Sequence, residues 1–182
     1  MYDTIFGDGS IDQLKTEDMI EFLTMTRDFE IKKRTVSESR DSYYICKFSA
    51  VLNQKLTEGE KMEKVQSSYL KDQVSFISGK LKLSPNLMKS FFKNSLENII
   101  SHVEQILKAI KDVDMILLVG GYSESPLVQE RIKKKFANYS IIIPQDCNLV
   151  VMKGAVLFGH NPMSLSLIHI SEPTRPLYIS YA

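Results

Sequence analysis

Ser84-Pro85 opens the longest periodic segment of the chain, and that segment constrains the fold more than any other feature. A serine side chain accepts a hydrogen bond from the first turn of a helix. A proline just behind it loses nothing by lacking an N–H, and its fixed φ suits that turn. Leu87, Met88, Phe91, Phe92, Leu96, Ile99, Ile100, Val103, Ile106, Leu107 and Ile110 then recur at spacings of three and four. This pattern predicts a helix over 84–110 with one apolar face about six turns long, which is core rather than a groove for a partner.

Past Lys111-Asp112 the pattern becomes alternating strand and helix. Met115 to Val119 is an apolar run stopped by Gly120-Gly121 and reads as a strand buried on both faces. Ser125-Pro126 repeats the N-cap and N1 signal, with Val128, Ile132 and Phe136 at helical spacing and Lys133-Lys134-Lys135 complementing the dipole of the last turn. Ile141-Ile142-Ile143 reads as a second buried strand ended by Pro144. Leu149 to Phe158 is expected to be a helix whose Gly154-Ala155 lets it pack closely on the sheet. In the first half, Phe22, Met25, Phe29 and Val36 form one buried stripe of a helix from about Asp18 to Ser37, and Tyr43 to Phe48 reads as a strand. Residues 53–68 give no clear signal, and 69–77 fits a short helix or a strand equally.

The 182 residues are 43% hydrophobic with a formal charge of +1. That is enough apolar material for a globular core, and there is no basic surplus to bind nucleic acid or an anionic membrane. No apolar run reaches the roughly 18–20 residues of a membrane span, and the start lacks the basic flank of a signal peptide, so a cytoplasmic protein is expected. Cys46 and Cys147 stand far apart and read as buried thiols; His102, His160 and His169 show no ligand spacing, so no metal site is expected.

Two constellations could carry chemistry. On a helix Glu30, Lys33, Arg34 and Ser37 fall within one stripe. A carboxylate there can accept both ribose hydroxyl protons, an ammonium can reach a base or sugar acceptor, and a guanidinium can lie flat on a purine. The same spacing also fits a solvated helix face with a Glu30–Arg34 pair. The second is Leu117 to Pro126, where Gly120-Gly121 between strand and helix lets a ligand approach bare backbone. It is neither a GxGxxG nor a Walker loop, and such a turn can also serve the backbone alone.

Taken together, Phe29-Glu30-Ile31-Lys32-Lys33-Arg34-Thr35, Val119-Gly120-Gly121-Tyr122-Ser123-Glu124-Ser125-Pro126, Ile142-Ile143-Pro144-Gln145-Asp146 and Met152 to Gly159 resemble, in order, the second lobe of the nucleotide-binding domain of the 70-kilodalton heat-shock proteins. Within that family they are most similar to the twelfth subfamily, and the resemblance covers most of residues 2–162. It implies an α/β fold, the second lobe of an actin-like ATPase domain with a ribonuclease H-like sheet plus a helical and strand subdomain, here incomplete. It implies that Glu30 meets the ribose, Lys33 and Arg34 embrace the adenine, Ser37 touches the base, and Gly120, Gly121 and Tyr122 approach the nucleotide from the other segment. ATP or ADP is the implied ligand, and a chaperone or stress-related role the implied context. Typical members carry serine and arginine where this chain has Tyr122 and Glu124, and an aspartate near Asn148, so Glu124 cannot supply a second cation.

No DxGxT or DxGGG segment occurs, so the phosphate and Mg²⁺ machinery of the family is expected only in a complete parent domain, and the chain is not expected to hydrolyse ATP by itself. The expected partners are an adenine nucleotide and the missing first lobe, with neither nucleic acid nor membrane. The expected division is 1–112 as the helical and strand subdomain, 113–163 as the strand-helix part of the lobe, and 164–182 as an unstructured, foreign tail. The alternative is a non-catalytic interaction or scaffold protein of the same fold, contacting partners through surfaces such as the 84–110 helix.

Overall fold

The computed structural model describes residues 1–160; the expected foreign tail lies outside the described residues. Three helices lead the chain, α1 (Tyr2–Phe6), α2 (Ser10–Glu17) and α3 (Met19–Lys33). Asp18 caps α3, its carboxylate accepting from the Glu21 N–H at 3.0 Å. The helix ends earlier than its apolar stripe suggests. The N–H groups of Thr35 and Val36 turn back to the carbonyls of Lys32 and Lys33, so Val36 enters the core from a turn and Ser37 lies beyond the helix.

Strand β1 (Tyr44–Lys47) follows, and then two helices fill the stretch without a clear sequence signal, α4 (Ala50–Lys55) and α5 (Glu58–Gln66). Thr57-Glu58-Gly59-Glu60 is a capping box: Thr57 Oγ1 accepts from the Glu60 N–H at 3.3 Å, and Glu60 Oε2 accepts from the Thr57 N–H at 2.7 Å. Lys61 on α5 is only 1% exposed. Its ammonium donates to Asn53 Oδ1 at 2.6 Å and Glu58 Oε1 at 3.0 Å and stands 5.5 Å from the centre of the Phe76 ring.

Strands β2 (Val74–Ile77) and β3 (Lys80–Leu83) form a hairpin. The Ser78-Gly79 connection has φ of 49° and 69°, and positive φ at both positions marks the two-residue turn whose twist matches antiparallel strands. The sheet order is β1-β3-β2, all antiparallel, which sets Leu83 between Tyr44 and Val74, and Leu81 between Cys46 and Phe76. These residues meet α6 (Pro85–Ala109) through Leu87, Met88, Phe92 and Leu96, and α7 (Pro126–Lys135) through Leu127, Val128 and Ile132. Ser84 Oγ accepts from the Leu87 N–H at 3.1 Å and fixes the start of α6. The fully buried residues of α6, Leu87, Met88, Phe92 and Leu96, all lie in its first half; Phe91 and Ile106 stay exposed, as does Ile110 just past its end.

Burial pushes the Cys46 thiol up to about 11, with the Asp28 carboxylate acting the same way and Lys32 opposing. An unfolded chain loses that proton near pH 9, so its stabilising effect, complete below pH 9, is lost as pH rises toward 11. Two pH units correspond to about 3 kcal/mol. Tyr2, whose hydroxyl is also raised by burial, adds to the loss above pH 10. Urea unfolding at pH 8 and pH 10.5 should show this fall, and Cys46→Ala should make it shallower.

The strand-helix segment departs from expectation in one respect. Strands β4 (Met115–Leu117) and β5 (Ser140–Ile142) pair in parallel, Ile116 opposite Ile141 and Leu117 opposite Ile142. Ile116, Leu118 and Ile141 lean on the core, but Met115 is 53% and Leu117 52% exposed, so the pair is covered on one face and not on both. The reason is the missing layer: α8 (Val150–His160) has no buried residue and does not pack on this sheet, and Gly154 has no neighbour within 4 Å of where a Cβ would stand. Among the described residues no helix is long and apolar enough to cross a membrane.

Candidate functional site

The end of α3 and the turn after β4 face one another across a cavity of about 200 Å³ lined by Glu30, Lys33, Arg34, Phe92, Gly121, Tyr122 and Ser125. Five of the seven residues singled out from sequence are among these. Ser37 is not, because α3 stops at Lys33; its hydroxyl lies 3.4 Å from Ser39 Oγ on the exposed turn. Gly120 is not a lining residue either, and acts through backbone shape: its φ of 92° is a conformation in which a side chain is strained, and its N–H donates to the Cys147 carbonyl at 2.7 Å. Gly121 then starts a 3-10 turn over Gly121–Glu124, and a Cβ on it would meet nothing within 4 Å.

The polar wall comes from the last turn of α3. Lys33 Nζ donates to Glu30 Oε1 at 2.6 Å, so each charge is held beside its counter-charge at the mouth. Arg34 caps the helix, its side chain 68% exposed, with Nη1 at 3.9 Å from Glu124 Oε2. Glu124 is thus a counter-charge to Arg34, whose guanidinium is the one cationic plane among the lining residues.

The opposite wall is aromatic. Phe92 on α6 and Tyr122 stack with ring centres 5.9 Å apart and planes 17° apart. Tyr122 Oη lies 2.7 Å from Ser95 Oγ, and Ser95 also donates to the Phe92 carbonyl at 3.1 Å. A serine has one proton, so with that proton on the carbonyl it is the tyrosine that donates to Ser95. Packing and this bond together hold the ring. Phe92 and Ser125 were missed as site residues because one fits the core stripe of α6 and the other fits a helix cap.

The two walls are clasped near the cavity. The Val36 carbonyl accepts from the Leu127 N–H at 3.0 Å, Glu130 Oε2 accepts from the Glu38 N–H at 2.7 Å, and Arg131 pairs with the Glu38 carboxylate. A larger cavity of about 340 Å³ lies among Met1, Tyr2, Ile11, Phe22, Met25, Thr26, Phe29 and Phe91, but its lining is nearly all apolar and cannot orient a charged ligand. No group of three or more His, Cys, Asp or Glu suited to a metal ion occurs among the described residues.

No family model matches the chain, and no solved structure matches it significantly. Heat shock 70 kDa protein 12A of Homo sapiens is 33% identical over 164 residues, 87% of this chain and 24% of that protein; the Mus musculus protein gives the same figures. Heat shock 70 kDa protein 12B of Homo sapiens is 28% identical over 168 residues, with the same shares of each chain. The motifs at 29–35, 119–126 and 142–159 thus sit in a chain alignable over most of its length. This chain is a homologue of the heat shock 70 kDa protein 12 subfamily, and it spans about a quarter of the length of the curated relatives it matches.

Proposed function

We propose that the chain is part of the second lobe of an actin-like nucleotide-binding domain and that its cavity holds the adenosine end of ATP or ADP. The observation that carries this reading is the meeting, in one cavity, of Glu30, Lys33 and Arg34 with Gly121 and Tyr122 from the other end of the sequence. In this reading Glu30 accepts from the ribose hydroxyls, Lys33 serves a base or sugar acceptor, and the purine lies between the Arg34 plane and the Tyr122 ring. The parent protein is then a cytoplasmic, chaperone-like or stress-related ATP-binding protein. The described residues do not fit a Mg²⁺ site, since no cluster of carboxylates faces the cavity, and no hydrolytic step is assigned to them.

A stacked guanidinium contributes about 0.5–2 kcal/mol and a charge-assisted hydrogen bond about 1.5–3 kcal/mol, together at most about 5 kcal/mol, so the Kd is expected to be no tighter than the order of 10⁻⁴ M. In NMR titrations adenosine and ADP should shift the same resonances, and Arg34→Ala should weaken both about tenfold. Equal affinity in variant and wild type would remove the arginine from the site.

A second reading has one observation in its favour. The exposed Ile106 on α6 and Ile110 just past its end suit a non-catalytic interaction protein of the same fold. It gains if adenosine, ADP and ATP all leave the melting temperature unchanged while a partner binds this end of α6.

A further inference from the structure

Ser125 occupies the N-cap of α7 and does not cap it. An N-cap serine ordinarily accepts from the N–H of the second or third helical residue. Here the Leu127 N–H, at the second position, donates instead to the Val36 carbonyl at 3.0 Å, and the Ser125 side chain makes no capping bond. The residue is 5% exposed, and among the described residues its Oγ has no hydrogen-bond partner at all. A buried hydroxyl without a partner is a cost that native folds seldom carry, and it calls for a reason. Ser125 also lines the cavity, together with Arg34 and Tyr122.

We infer that Ser125 is a specificity-determining residue of this cavity, its hydroxyl completing its hydrogen bonding on the polar edge of the ring held between Arg34 and Tyr122. The inference rests on the nucleotide reading above and adds to it the group that reads the base. Rotation about one bond moves the hydroxyl among three staggered positions, and it can donate or accept in each. A purine edge presents ring nitrogens that accept and, in adenine, an amino group that donates, so a single hydroxyl can serve it. In the reading above Glu30 is given to the ribose, and the Tyr122 hydroxyl is engaged by Ser95; Lys33, an ammonium, can donate to a base nitrogen but cannot accept from an amino group. Stacking on Arg34 and Tyr122 accepts any flat ring, which leaves Ser125 to distinguish a ring with a polar edge from one without.

The test is an NMR titration of the full chain and of Ser125→Ala with adenosine, purine riboside, 1-deazaadenosine and 7-deazaadenosine. Ser125→Ala should fold with unchanged or slightly raised stability, because it deletes an unpaired hydroxyl. Ser125→Gly, another favoured N-cap residue, serves the same comparison if the alanine variant does not fold. Expected is a loss of about tenfold in adenosine affinity in the variant. At least one edge-deleted analogue should cost the wild type a similar factor and cost the variant nothing. Equal adenosine affinity in variant and wild type overturns the inference while leaving the nucleotide reading intact. A uniform loss for adenosine and all analogues overturns it too, since that marks a change of cavity shape rather than a lost bond. If adenosine fails to bind the wild type, the nucleotide reading itself falls, and the role of Ser125 with it.

Discussion

Replacing Leu83 with alanine is expected to lower the unfolding free energy by about 2–5 kcal/mol, out of the roughly 5–15 kcal/mol typical of a domain. Leu83 is fully buried on the central strand, with Tyr44 beside it on β1 and Val74 on β2. The next residue, Ser84, is bonded to the first turn of α6. With neighbours fixed on three sides the backbone cannot collapse into the space left by the side chain, so the cavity persists and its cost adds to the lost transfer energy. Ile45→Ala, on the exposed face of the same sheet, is the control and should cost well under half as much. Denaturant midpoints with an unchanged m-value would read both. A cost under 1 kcal/mol for Leu83→Ala would show that the strands relax around the gap.

Asn53→Ala is expected to cost about 1.5–3 kcal/mol, because it takes the nearest oxygen from a buried ammonium. The other partner of Lys61, Glu58, has a side chain 71% exposed, so Glu58→Ala should cost under about 1 kcal/mol. Lys61→Met removes the charge while keeping the length of the side chain, and should be near neutral or stabilising, since a hydrophobic group of similar volume needs no partner. The order of the three variants is the prediction. If Lys61→Met costs more than Asn53→Ala, the ammonium is itself a net stabiliser of this corner and the desolvation argument fails.

What could be read from the sequence followed from how local the cause was. The Ser84-Pro85 start and the strand at 44–47 rest on residues adjacent in the chain, and the structure has both. The end of α3 was misread because Val36 continues the apolar spacing although the backbone has already turned; its burial is set by α6 and α7, which spacing within one helix cannot reveal. Thr57-Glu58-Gly59-Glu60 was a legible cap that its polar surroundings obscured. Met115 to Val119 has the composition of a strand buried on both faces, but burial depends on a covering layer, and α8 does not supply one among the described residues. For the cavity, charge and glycine signals pointed to Glu30, Lys33, Arg34 and Gly121 and the family resemblance to Tyr122, while Phe92 and Ser125 looked like ordinary core and cap residues. Only the diversion of the Leu127 N–H to Val36 sets the serine apart, and that is a tertiary event.

The clasp between the two walls has a consequence for the order in which the molecule assembles. Glu38 and Glu130 are 92 residues apart in the chain, and so the cavity exists only after a loop of that length has closed. Closing it costs roughly 4 kcal/mol of chain entropy on the logarithmic scaling of loop closure, paid before the non-local contacts form. Neither α3 with its following turn nor the β4 to α7 segment carries a binding surface alone. The intervening sheet and α6 must first bring their ends together, which makes the cavity a late product of folding and ties its occupancy to the closure of the whole intervening chain.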